Sequence, residues 1–194
     1  MTSSELLDSL RLVIAELSTR GRGHALVGGI AVSVRAEVRF TRDVDLAVQV
    51  RDDPEAEVLV RDLGLRGYVP IATVEHEATQ RLSTVRLKAS TGMKIDLLFA
   101  SCGIEREVVA RATSVELPEV GFVPVAEPEE LLAMKVLSMS ERRLQDRLDA
   151  QRLVTRNPDL DIERVRDNLR LITERGYNRQ RDLAKALTAL LAEL

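Results

Sequence analysis

Two hydrophobic periods alternate along the chain. Over residues 4–19, Leu6, Leu7, Leu10, Val13, Ile14 and Leu17 recur at spacings of three and four. This draws one apolar stripe down a helix that Gly21 and Gly23 close. The short apolar run His24 to Val27 stops at Gly28-Gly29, and Ile30 to Glu37 reads as a short helix. Strands are expected over 44–50, 68–74, 82–89 and 93–99, with shorter ones over 113–117 and 122–125, and helices over 55–63 and 105–111 between them. Pro70 restricts its strand to a sheet edge. Ser90-Thr91-Gly92 is a tight turn that joins 82–89 and 93–99 into a hairpin. From Pro128, a residue suited to the first turn of a helix, the period becomes helical over 128–139, 142–155, 161–175 and 179–193. The pattern predicts an α/β (α+β) protein: a core with an N-terminal helix over 1–125, then a C-terminal helical bundle over 126–194.

Composition narrows the class. At 194 residues, 45% hydrophobic and 30% charged, the chain suits one globular domain, or one domain with a small appendage. No apolar run reaches the roughly 18 residues of a membrane helix, and the acidic start MTSSELLDSL is unlike a signal peptide. One cysteine, Cys102, excludes an internal disulfide framework and suits a reducing cytoplasm. With two histidines, any bound metal is expected on carboxylates. The net charge of −3 conceals an asymmetry: residues 142–181 carry 11 arginines against seven acids. That stretch, with Arg164, Arg166, Arg170, Arg175, Arg179 and Arg181, is either a polyanion contact or a solvated helical face. Tyr177 is its one aromatic residue.

Three places carry candidate chemistry. Gly28-Gly29, between a strand and a helix, is either a plain turn or a phosphate cradle, with Ser33 one turn on as a phosphate contact or a local capping group. Asp43 and Asp45 open a strand and share one face, as side chains of period two must. Such a pair is tolerable when exposed, or with a divalent cation between the two. Asp96 sits in the apolar strand Lys94-Ile95-Asp96-Leu97-Leu98-Phe99, where it pairs with Lys94 on its own face or binds metal.

In this order, Gly-Gly, then Asp-hydrophobic-Asp-hydrophobic, then a third Asp in a later strand, the residues resemble the minimal nucleotidyltransferase motif of the polymerase-β-like superfamily. The box Arg39-Phe40-Thr41-Arg42-Asp43-Val44-Asp45-Leu46, with Lys135, the basic turn Arg142-Arg143 and the pair Asp146 and Asp149, is similar to its AbiEii/MenT-type toxin group. The resemblance covers about 24–150 and departs from the group at Arg147-Leu148, where an aromatic residue is expected.

The resemblance implies a polymerase-β-like core with a mixed sheet. It further implies a nucleotidyltransferase toxin of a toxin–antitoxin system that transfers a pyrimidine nucleotide from an NTP to the 3′ end of tRNA and so blocks aminoacylation. Asp43, Asp45 and Asp96 would hold two Mg²⁺ ions, with Asp96 also taking the proton of the attacking hydroxyl. Gly28, Gly29, Ser33, Arg39, Thr41 and Lys135 would contact the nucleotide, and Lys135, Asp146 and Asp149 would complete the catalytic set. A cognate antitoxin is the expected protein partner, and no membrane is involved. The same triad also suits a transferase acting on a small molecule such as an aminoglycoside or lincosamide. A non-catalytic nucleotide-binding module is disfavoured, because binding alone does not require three aspartates.

Overall fold

The structure is a computed structural model that describes residues 3–140 and 142–194. Its described residues form eight helices and seven strands. In chain order these are α1 (Ser3–Thr19), β1 (His24–Val27), α2 (Gly28–Arg35), β2 (Asp43–Val48), α3 (Asp53–Gly64), β3 (Val69–Glu75), β4 (Leu82–Lys88), β5 (Lys94–Leu98), α4 (Glu105–Arg111), β6 (Thr113–Leu117) and β7 (Gly121–Val125). Four helices follow: α5 (Pro128–Ser138), α6 (Leu144–Arg156), α7 (Ile162–Glu174) and α8 (Leu183–Leu191).

All seven strands join one mixed sheet in the order β3-β4-β5-β2-β1-β7-β6. The pairs β2–β5 and β1–β7 are parallel, and the others are antiparallel. Two rows cross it. Arg86, Asp96 and Asp45 are register partners on β4, β5 and β2, and Lys88, Lys94 and Asp43 are partners one step along. Between these rows Leu87, Ile95 and Val44 point the other way and are fully buried. Burial of each such side chain contributes roughly 1.5–3 kcal/mol. The polar rows are therefore pinned to one face, since a slip of one residue would bury the charges and expose the core. Pro70 does lie on the edge strand β3, at a register shift.

The helical part is fastened by buried charge as well as by apolar stripes. Glu130 on α5 is fully buried. It is neutralised by Arg164 of α7 and by Arg111 at 2.8 Å, and it accepts a hydrogen bond from the Asn168 amide at 3.0 Å. Most boundaries shift by one or two residues, and two of the differences have a clear local cause. Helix α2 begins at Gly28, so the glycine pair forms its first turn rather than a loop ahead of it. Helix α8 begins at Leu183 rather than 179, because Arg179 and Gln180 are left-handed (φ 54° and 57°) and Asp182 caps the helix by accepting from the Lys185 N–H at 2.9 Å. Among the described residues no helix is long and apolar enough to cross a membrane.

Candidate active site

A cleft of about 410 Å³ opens between the polar rows of the sheet and helices α5 and α6. Gly28, Gly29, Arg39, Thr41, Asp43, Asp45, Asp96, Lys135 and Asp146 all line it. Residues scattered over more than a hundred positions thus meet at one place.

The floor is a cluster of carboxylates. Asp45 and Asp96 stand opposite each other on β2 and β5, and Asp43 lies two residues from Asp45 on the same face. Burial pushes the Asp45 carboxyl up to about 6, with Asp96 and Asp43 adding like charge, against the opposing pull of Lys135 and of a hydrogen bond from the Gly29 N–H. Gly28 makes this approach possible. Its φ is +64°, and a Cβ there would lie 2.0 Å from Asp45 Oδ2. At Gly29 a Cβ would lie 2.7 Å from both Arg39 Nη2 and Thr41 Oγ1. The pair therefore seats the first carboxylates and their neighbours closely, in addition to opening a helix N-terminus toward the cleft.

Asp96 does not pair with Lys94. Arg86 grips it with two bonds, Nε to Oδ1 at 2.7 Å and Nη2 to Oδ2 at 2.6 Å, and reaches within 3.9 Å of Asp43. The fork raises the pKa of Arg86 further. Arg86 was legible in principle: counting back from the Ser90-Thr91-Gly92 turn places residue 86 opposite residue 96. The row of hard oxygen donors suits a divalent cation such as Mg²⁺. Asp96 is engaged by Arg86, so a metal held by Asp43, Asp45 and Asp96 together would compete with that fork.

The opposite wall is a charge network. Lys135 Nζ lies 2.7 Å from Asp146 Oδ1 and 2.8 Å from Asp149 Oδ2. Arg39 donates one hydrogen bond to Asp149, Nη2 to Oδ2 at 2.9 Å, and its Nε lies 2.8 Å from Oδ1 as a charge contact without hydrogen-bond geometry. Arg143 holds Asp146 at 2.8 Å, and Gln145 donates to Asp149 at 2.8 Å. Burial opposes ionisation of Asp149, but Lys135, Gln145 and Arg39 hold its carboxyl below the usual carboxylate range. Asp149 is fully buried and lies behind the cleft wall, orienting Arg39 and Lys135, whereas Asp146 reaches the cleft itself.

One site expectation changes, and the basic stretch resolves largely into paired charges. Ser33 does not line the cleft. One helical turn beyond Gly29, its hydroxyl donates to the Gly29 carbonyl at 3.0 Å and accepts from the Arg39 N–H at 3.2 Å, tying α2 to the loop before β2. Tyr177 is not a stacking platform, being buried against Gly103 and the His76 ring. Most arginines of the basic stretch are already paired: Arg164 with Glu129 and Glu130, Arg166 with Glu163, Arg170 with Asp167, and Arg175 with Glu107. Arg181 donates to the Leu137 carbonyl. Arg86, Arg143, Gln145 and Ser138 are cleft residues that the sequence pattern did not single out as ligands.

The sequence model of one family, described as nucleotidyl transferase AbiEii toxin, type IV TA system, matches residues 12–193. No curated protein sequence matches the chain significantly. Among solved structures, an antigenic nucleotidyltransferase-like protein from Paracoccidioides brasiliensis is 18% identical, with a TM-score of 0.51 over 97% of this chain and 94% of that one. The antibiotic-resistance factor ANT(2'')-Ia is 16% identical, with a TM-score of 0.52 over 90% of this chain and 94% of that one. At such identities the likeness is one of fold.

Proposed function

This chain belongs to the AbiEii nucleotidyltransferase toxin family of type IV toxin–antitoxin systems, and from that premise we propose that it transfers a nucleoside monophosphate, a pyrimidine, from an NTP to the 3′ end of tRNA. The observation that carries a transfer reaction is the row Asp45–Asp96 with Asp43 beside it, facing a cationic wall across one cleft. Membership of the family implies a cognate antitoxin as partner.

The residues divide the work by position. Asp43, Asp45 and Asp96 would hold Mg²⁺, which when bound neutralises charge on the attacking and leaving oxygens of an in-line displacement. Arg39 and Lys135 present positive charge to the triphosphate, and Asp149 fixes their orientation. Thr41 offers a hydroxyl beside them. Asp96, once off Arg86, accepts the proton of the acceptor hydroxyl, and Arg86 then carries an unpaired guanidinium at the acceptor's side of the cleft.

The test is transfer from each of four α-labelled nucleoside triphosphates, with Mg²⁺, to total bacterial tRNA. Label on tRNA from CTP or UTP, absent with Asp43→Ala, is the expected result. Label on an aminoglycoside or lincosamide in place of tRNA would establish the small-molecule reading instead.

The glycine pair gives a second expectation. Gly28→Ala forces a Cβ onto Asp45 in a left-handed backbone, at a cost of about 1–3 kcal/mol for the strained conformation alone. Transfer is expected to fall at least about 100-fold, the equivalent of roughly 3 kcal/mol in the barrier. Gly64→Ala, at a helical glycine with nothing within 4 Å, is the control and leaves transfer unchanged. Equal activity of the two variants would show that Gly28 does not seat Asp45.

A further inference from the structure

Partnered charges explain most of the basic surface, and removing them leaves a pattern. Apart from Arg42, which lies over the Phe40 ring, six cations have no carboxylate or hydrogen-bond partner among the described residues: Lys88, Lys94, Arg106, Arg142, Arg179 and Lys185. Four of the six flank the catalytic row.

Lys88 and Lys94 are exposed register partners in the row of Asp43, so they lie one step along the sheet from Arg86 and Asp96. Strand geometry puts Lys94 about 5 Å and Lys88 about 10 Å from β2 across the sheet, and about 7 Å beyond the Asp96 row along it. Of the other two, Arg142 lies in the turn before α6 and Arg179 toward the far end of β4. Arg142 precedes Arg143, which lines the cleft. Arg179 lines a neighbouring cavity of about 590 Å³ together with Ser83, at the start of β4. Partial burial, and then repulsion from Arg143, lower the Arg179 pKa against weaker opposing pulls from Cys102 and Asp146, which places Arg179 in the field of the Arg143–Asp146 pair. Arg142 and Arg179 both occupy backbone or turns that the helices leave uncovered, Arg179 in a left-handed conformation at φ 54°.

We propose that the four unpartnered cations, Arg142 and Arg179 at one end and Lys94 and Lys88 at the other, form a track that binds the phosphodiester backbone of a single-stranded RNA acceptor and carries its 3′ end across Asp96. The inference deepens the tRNA reading above and rests on it. From Thr84 to Lys88, which share the face of Asp96, β4 alone spans roughly 14 Å, about four nucleotides at the 3.4 Å rise of one strand. A small cationic drug has no use for a track of that length, and its amines would be repelled by it. The arrangement also assigns the two sides of the cleft. Arg39 and Lys135 stand on the nucleotide's side, and Asp96 with its flanking cations stands on the side from which a hydroxyl arrives.

The experiment is fluorescence anisotropy of a 5′-labelled RNA hairpin with an unpaired 3′ tail, titrated with the full chain in Mg²⁺-free buffer over a salt series. The variants are Lys88→Glu/Lys94→Glu and Arg142→Glu/Arg179→Glu, with Arg166→Glu/Arg170→Glu on α7 as control. Each track variant is expected to weaken binding at least about 10-fold and to reduce the slope of log K against log salt by about 1–2. The control should change binding less than about 2-fold, because its arginines are already neutralised by neighbours. Thermal unfolding midpoints of the two track variants should match the wild type, since no partner is lost at the track positions, whereas the control loses its surface pairs and is compared at a temperature where it is fully folded. If the wild type labels tRNA yet both track variants bind the hairpin normally, the track is wrong and the acceptor reading stands. If the wild type neither binds RNA nor labels tRNA, both fall together.

Discussion

Asp45→Asn is expected to abolish nucleotidyl transfer and, in metal-free buffer, to make the protein more stable. The two effects share one cause. Asp45 is half-buried beside two other carboxylates, and burial with like charge pushes its pKa from 3.8 up to about 6. The folded state therefore holds a proton that the unfolded chain has released between about pH 4 and pH 6. Stability follows ν_U − ν_N, so it falls as pH rises through this window and stays reduced above it. At 1.36 kcal/mol per pKa unit, the penalty at neutral pH is about 3 kcal/mol at most. Asparagine keeps the shape and an acceptor for the Gly29 N–H without the charge. A midpoint about 5 °C above the wild type is expected at pH 8, and the two proteins should converge near pH 4. Added Mg²⁺ should narrow the gap by binding the wild type alone. Transfer should fall at least about 1000-fold, roughly 4 kcal/mol of lost transition-state stabilisation. The measurements are calorimetry across pH with and without Mg²⁺, and the labelled-tRNA assay. A variant no more stable than the wild type at pH 8 would show that the carboxylates do not strain one another.

The pattern of this site explains what could be read from the sequence. Strands were legible wherever one face is buried, because alternation then marks both the strand and its exposed partners; Val44 and Leu46 place Asp43 and Asp45 on the other face without further information. Hairpin pairing was legible through the turn at Ser90–Gly92. Charge pairing was legible only where that register is followed through. Asp96 had a nearer basic neighbour in Lys94, and only the register to β4 gives it to Arg86. Likewise Glu130 binds Arg164, 34 residues away, so the arginines of the C-terminal stretch could not be divided into paired and unpaired sets from composition. Ser33 shows the limit of proximity to a motif. Its helical position one turn beyond Gly29 turns the hydroxyl onto the backbone, a local bond that competes with any ligand. The start of α8 was misplaced for a related reason, since the capping carboxylate is Asp182 and the two residues at 179–180 are left-handed.

Lys135→Met is the variant expected to cost the fold most. Lys135 is 9% exposed and bonded to both Asp146 and Asp149, and Asp149 is fully buried. Methionine preserves the stem's volume, so the loss is that of the charge. Removing one member of a buried ion pair typically costs about 3–5 kcal/mol, because the partner's charge stays behind without compensation. Arg39 and Arg143 remain on Asp149 and Asp146, which places the effect toward the lower end of that range. The expected result is a midpoint lower by about 10 °C, with transfer reduced at least about 100-fold when assayed at a temperature where both proteins are folded. Asp149→Asn in the Lys135→Met background should recover neither the stability nor the activity, because Arg39 then loses its own carboxylate. A Lys135→Met protein that melts with the wild type would place the ammonium in solvent rather than between the two aspartates, and the cationic wall of the cleft would then have to be drawn from Arg39 and Arg143 alone.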